Sequence, residues 1–245
     1  MRDVLLNLRD RIVLGAVEDT PVPHGMHGTP RVELGLYALD DAMTTAADLR
    51  CAGALFARTW VALPATLAGL PAITEVLAAG INVNVTLIFD LDRYDAVLDA
   101  HEAGLVRWAG AGGDLSGLAS VGSFFVSRVD TEVDRRLPVG HALRGLPAVA
   151  NARVAYARYL EHCATPTWAA LAEAGAQPQR PLWASTSTKN PEYASTLYVD
   201  ELVGSGTVNT LAPASIDALR AGEGRLRADA LAEDPDGARR VLDDL

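Results

Sequence analysis

Lysine is almost missing from this chain. Of its 21 basic side chains 20 are arginine, and Lys189 is the one lysine among 245 residues. Chemistry that needs a side-chain amine therefore has a single candidate. Cysteine is scarce too: Cys51 and Cys163 are too few for a disulfide framework or a thiolate zinc site, and they suit a reducing compartment. Aromatic residues make up 6%, so the core has to be packed from the abundant Ala, Leu and Val. No apolar run approaches the ~18 residues of a membrane span, and the first residues do not read as a secretory signal. The expectation is a cytoplasmic protein with no membrane contact. Asn84-Val85-Thr86 fits the glycosylation rule, but it lies inside an apolar run, which argues against its use.

Positive charge is also in short supply. The formal net charge is −10, and a nucleic-acid partner would require a basic face able to displace counterions. No nucleic acid is expected. A small anion is still compatible, because it needs only a few local cations. No glycine fingerprint follows the first expected strand, which argues against a dinucleotide cofactor. His24 and His27 have no third histidine or carboxylate close by in sequence, so no metal site is expected.

What is present is a regular alternation of strand and helix. Residues 1–18 carry apolar side chains at helical spacing, and the breaker-rich 19–30 reads as a loop. Strands are expected at 31–39, 59–66, 81–89, 118–130, 180–186 and 206–211. Helices are expected at 40–57, 70–80, 91–112, 131–136, 148–162 and 191–203, with an acidic helical tail over 213–245. Six strands, each followed by a helix, predict right-handed βαβ units around a parallel sheet, within one domain spanning 1–245.

Reactive groups of a parallel α/β barrel sit at the carboxyl ends of its strands. Asn84 and Thr86 interrupt the apolar run 81–89 on one face, where they could hold a polyol or order a water, or simply satisfy each other in the core. Ser123 and Arg128 flank the end of the next strand. Arg128 could grip a phosphate with its planar fork, or pair with Asp130 or Glu132. Ser185 through Lys189 ends a further strand with hydroxyls and a cation ahead of a helix expected to start at Pro191. That is either an anion site or a capping loop.

Three segments carry a resemblance: GINVNVTLIFDLDRY (80–94), SFFVSRVDTEVD (123–134) and RPLWASTSTKNPEYASTLYVDELVGSGTVNTLAP (180–213). They are similar to the transaldolase family in its longer bacterial form, over about residues 30–215. The resemblance implies a TIM-type (β/α)8-like barrel that moves a three-carbon unit between sugar phosphates through a lysine Schiff base, without a cofactor. By motif, Asn84 matches the family's substrate-binding asparagine and Thr86 its water-positioning threonine. Ser123 and Phe125 match channel-lining residues, and Arg128 a phosphate-binding arginine. Ser185 and Lys189 fall in the segment that supplies the rest of the phosphate site.

The departures concern catalysis. The family's Leu-Ile-Lys-Ile-Pro-Ala-Thr reads here as Trp60-Val61-Ala62-Leu63-Pro64-Ala65-Thr66, which sets Ala62 at the nucleophile position. The family's Ser-Ile-Glu-Val-Asp aligns with Glu33-Leu34-Gly35-Leu36-Tyr37, which sets Gly35 at the acid–base position. The first two barrel strands have no counterpart among the six βα units that can be read. The leading expectation is a degenerate transaldolase-like protein that keeps the phosphosugar side of its pocket. The alternatives are an active enzyme rerouted through Lys189, or one part of a larger assembly in which another copy or a partner chain completes the barrel.

Overall fold

The computed structural model describes residues 60–245 together with the strand residues 15–16 and 33–35. The strands in chain order are β1 (Gly15–Ala16), β2 (Glu33–Gly35), β3 (Trp60–Pro64), β4 (Asn82–Ile88), β5 (Ser120–Phe125), β6 (Arg180–Ala184) and β7 (Val208–Asn209). The helices are α1 (Gly69–Ala78), α2 (Leu91–Gly110), α3 (Ser127–Arg136), α4 (Pro147–Cys163), α5 (Pro166–Glu173), α6 (Leu197–Glu201), α7 (Pro213–Arg220) and α8 (Pro235–Asp243). The helix expected over 1–18, the loop over 19–30 and the helix over 40–57 lie outside the described residues. One exception is Gly15–Ala16, inside the first of these, which is strand rather than helix. It pairs antiparallel with β2, Gly15 opposite Gly35.

The described residues form two compact units. The first takes in the chain up to Ile88, then Asp92–Gly122 and Cys163–Gln179. Here β2, β3 and β4 run parallel and side by side, followed by the opening residues of β5. β3 is buried along its whole length, as a strand covered on both faces should be. Pro64 ends it, and Thr66 then starts α1: its hydroxyl accepts from Gly69 N–H at 3.0 Å. α1 turns Ala72, Ile73, Val76 and Leu77 inward at helical spacing. Gly80 follows with φ +74°, the left-handed turn that lets the chain reverse into β4. α2 buries Tyr94, Val97, Leu98, His101 and Leu105, and His101 stacks on Trp168 of α5 at 5.9 Å. α5 was not expected from the sequence, although its signal is there. Thr165 accepts from Trp168 N–H and Pro166 occupies the first turn.

The second unit takes in Phe89–Leu91, Ser123–His162 and Arg180–Leu245. Its sheet runs from the end of β5 through β6 to β7, with β6 and β7 parallel and Leu182 opposite Val208. Trp183 of β6 is fully buried edge-on to Phe124. α4 lays Ala150 and Val154 against Ala238 of α8, with Leu91, Val241 and Leu242 around them. The tail expected to be helical over 213–245 is helical at α7 and α8, with mostly non-helical chain over 221–234. A half-buried ion network fastens it: Arg153 bonds Glu201 at 2.7 Å, and Arg227 reaches both Glu201 and Glu233.

Two expected boundaries move. The strand expected over 118–130 stops at Phe125, and helix α3 starts at Ser127, so Arg128 stands in a first helical turn and not on a strand. The reason is Asp130 and Asp134, four residues apart. On a helix they share a face, where they accept from Ala148 N–H at 2.8 Å and Gly145 N–H at 3.1 Å. The helix expected over 191–203 shrinks to Leu197–Glu201. The Asn190 side chain accepts from Glu192 N–H and its carbonyl from Tyr193 N–H, a local turn that competes with a helix beginning at Pro191.

α2 approaches α1 closely at Gly104, where an added Cβ would lie 2.6 Å from the Leu77 Cβ and 3.1 Å from the Thr74 carbonyl oxygen. Gly104→Ala is expected to cost about 2 kcal/mol through overpacking, against the small gain in helix propensity. Thermal unfolding checks it, and an unchanged or higher Tm would contradict the close approach.

Candidate functional site

In the first unit the pairing register builds a row. Gly35 pairs with Ala62 and Ala62 with Asn84, across β2, β3 and β4. In-register partners on a parallel sheet lie on one face, so the positions the resemblance assigns to acid–base, nucleophile and substrate-binding groups are lateral neighbours. One step towards the carboxyl ends, Pro64 pairs with Thr86; one step back, Trp60 pairs with both Glu33 and Asn82. Asn84 and Thr86 are half-buried, whereas Val83 and Val85 on the opposite face are fully buried. Ala62 is 6% exposed and offers only a methyl group. Leu87, just past Thr86, sits at φ +61°. A branched side chain in the left-handed region is strained, and such strain gathers at the working ends of strands.

In the second unit, the other residues singled out from the sequence collect where β5 runs into α3. Ser123 is buried in β5. The half-buried Phe125 ring lies 5.1 Å from that of Phe89, and the exposed Arg128 guanidinium lies over it at 4.9 Å. Neither ion pair considered for Arg128 forms. Glu132 is engaged by Arg135 and Arg136, and Asp130 accepts from Ala148 N–H and from the Tyr198 hydroxyl at 2.8 Å. Ser185 follows β6 with φ +57°. Its carbonyl accepts from Ser127 N–H, and the two serine hydroxyls are 2.9 Å apart. Ser185, Ser127 and Arg128 thus stand together at the amino end of a ten-residue helix, where the backbone dipole favours an anion.

Lys189 does not join them. Its ammonium is exposed and donates to Ser187 Oγ at 2.7 Å. It lines a cavity of about 510 Å³ with Asp130, Asp134, Arg144, Tyr193 and Tyr198, whereas Ser123, Phe125, Arg128 and Ser185 do not line it. Helical geometry explains the split: Asp130 follows Arg128 by two residues, roughly 200° around α3. Sequence reasoning passed over this cluster, although two aspartates four apart on a polar helix were a visible cue.

Both carboxylates of the cluster are buried. Burial pushes the Asp130 carboxyl from its ordinary 3.8 up to about 6. The Ala148 N–H and Tyr198 hydroxyl offset part of that, and Asp134 adds to it. The Tyr193 hydroxyl is pushed up to about 12 by burial and by the Asp134 carboxylate to which it donates at 2.5 Å. It stays protonated and remains a donor at neutral pH.

A family model described as Transaldolase/Fructose-6-phosphate aldolase matches residues 36–243. The chain belongs to this family. Among similar relatives, the transaldolase of Frankia alni is 50% identical over 225 residues, which cover 89% of this chain and 60% of the relative. That of Thermobifida fusca is 51% identical over 226 residues, 89% of this chain and 61% of the relative. That of a Parafrankia species is 54% identical over 191 residues, 76% and 52%. The transaldolase-family chain therefore spans about three fifths, or somewhat less, of the length of these curated relatives. The family's architecture is the TIM barrel, the α/β class expected from the sequence. No described helix is long and apolar enough to cross a membrane.

A raised carboxyl pKa contributes stability below the unfolded value near 4, and that contribution is lost as the pH climbs through 6. Asp130→Asn removes the charge and keeps an acceptor for Ala148 N–H. The Tm of this variant relative to the parent should be near zero or slightly negative at pH 4, then rise as the pH passes 6. A deficit that stays constant from pH 4 to pH 8 would contradict the assignment.

Proposed function

We propose that this chain acts in sugar-phosphate metabolism of the pentose phosphate type as a binding protein, with the Schiff-base step of its family lost. Ala62 carries the proposal. By the motif resemblance it takes the place of the family's lysine; it is paired between Gly35 and Asn84, and a methyl group cannot attack a ketose carbonyl. Loss of a covalent nucleophile raises the barrier by many kcal/mol, more than positioning groups recover. The binding half has better support. In the second unit Arg128 and the Ser185 hydroxyl stand at the amino end of α3 beside the Phe125 ring and offer an anion site. Taken separately, Asn84 and Thr86 of the first unit offer an amide and a hydroxyl suited to a polyol. The reading involves no cofactor and no metal. The name transaldolase is that of longer relatives, and the rival reading, in which Lys189 takes over as nucleophile, draws little support from a lysine that lines a cavity on the far face of α3.

Two measurements separate these readings. Incubation with fructose 6-phosphate and borohydride is expected to leave the mass of the protein unchanged. Calorimetry with the same sugar is expected to give binding in about the millimolar range, weakened about tenfold by Arg128→Ala. A mass increase on the peptide containing Lys189 would overturn the non-catalytic reading. Absence of heat at any concentration would overturn the binding one.

A second reading concerns assembly. Among the described residues, no strand pairs with the outer edge of β7, and an open strand edge invites another. We infer that a second polypeptide, another copy or a distinct chain, covers it. A single monomeric mass by light scattering at every concentration, with no partner recovered from the native source, would count against this.

A further inference from the structure

The cavity beside Lys189 is built on a fastening that the reading above does not use. Asp130 and Asp134 each spend one carboxylate oxygen on a backbone N–H that follows α3 in the chain: Ala148 in the first turn of α4 at 2.8 Å, and Gly145 in the segment before α4 at 3.1 Å. Each spends the other on a tyrosine hydroxyl that follows Lys189 in the chain: Tyr198 at 2.8 Å and Tyr193 at 2.5 Å. Two adjacent turns of one helix thus tie down two separate stretches of chain. The Tyr193 ring packs against Gly145, which has φ +75°. A Cβ there would come within 2.7 Å of the ring, so only glycine permits the contact. Arg144 completes the arrangement by donating to the carbonyls of Asp134 and Leu137.

The segment between β6 and α6 is anchored at its two ends, where Ser185 and Thr186 bond to Ser127, Asn209 and Thr210 and Ser195 bonds to Glu223, but the stretch 187–194 between them has few hydrogen bonds of its own. Its hydrogen bonds from Lys189 Nζ to Ser187 Oγ, from Glu192 N–H to Asn190 Oδ1 and from Tyr193 N–H to the Asn190 carbonyl close over two or three residues. Tyr193 reaches back 59 residues to α3. A stretch stabilised by local turns opens easily unless a long-range contact holds it.

We propose that Asp134 and Asp130, through Tyr193 and Tyr198, form a double latch on α3 that holds the segment carrying Lys189 closed against the helix. These are positioning residues, and the segment's order depends on them more than the stability of the unit does. The proposal does not require that a sugar phosphate bind anywhere, so it can fail independently of the function proposed above.

The single lysine makes the test specific. A lysine-specific endoprotease has one side-chain-defined target in this chain, the bond after Lys189, and it can cut there only when the segment opens. The full chain should be cleaved slowly. Tyr193→Phe, which deletes one hydroxyl and keeps the ring, should be cut about tenfold faster, Gly145→Ala at least as fast, and the Tyr193→Phe, Tyr198→Phe pair faster still. Thr165→Ala removes a helix cap in the other unit and provides a variant with comparable loss of Tm; its cleavage rate should match that of the parent. Should the tyrosine variants be cut at the parent's rate, the latch is refuted. It is equally refuted if every variant's cleavage tracks its Tm, because opening would then be global.

Discussion

The candidate site depends on the register between three short parallel strands. Shifting β3 by one residue would turn Ala62 to the other face and Val61 or Leu63 into its place, because side chains alternate along a strand. The register is well supported on the β4 side. Val83 and Val85 are fully buried, Asn84 and Thr86 are not, and five consecutive pairs from Trp60–Asn82 to Pro64–Thr86 hold the two strands together. A polar amide could not exchange places with either valine without being buried. The identity of the residue beside Asn84 is therefore decided by packing, and it is alanine.

Helix α3 organises the second unit through its two faces. Its amino end meets the Ser185 hydroxyl, and Arg128 presents an exposed guanidinium. The Asp130–Asp134 side is turned inward: Asp130 is bound to α4 and α6, and Asp134 to Gly145 and Tyr193 in the segments that precede those helices. Burying two carboxylates four residues apart is costly, and the raised Asp130 value reports that cost. Four hydrogen bonds offset it. The same contacts keep Lys189 on the side of the helix away from Arg128, so the chain's one lysine and the proposed anion site belong to different surfaces.

Much of this could be read from the residues. The parallel α/β class, β3, β4, α1, α2 and α4 all appear where apolar runs and helical spacing place them. Gly35, Ala62 and Asn84, which the motifs single out, pair side by side across three strands. What escaped was decided by side-chain to backbone hydrogen bonds between segments distant in sequence. Ser127 to Asp130 reads as a continuation of an apolar strand until Ala148 N–H is known to need the Asp130 carboxylate. Pro191 reads as a helix start until the Asn190 turn is seen. Ser185 gives no sign in sequence of its positive φ. The α5 helix was a different case, because Thr165 and Pro166 spelled out a cap that went unused.

The most direct test of the central claim is a crystal structure of the chain soaked with fructose 6-phosphate. The account predicts an intact, unlinked sugar phosphate, its phosphate at Arg128 and Ser185, with Ala62 making no bond to it. Continuous density joining the sugar's C2 to Lys189 Nζ, or to an amine from another copy, would contradict it.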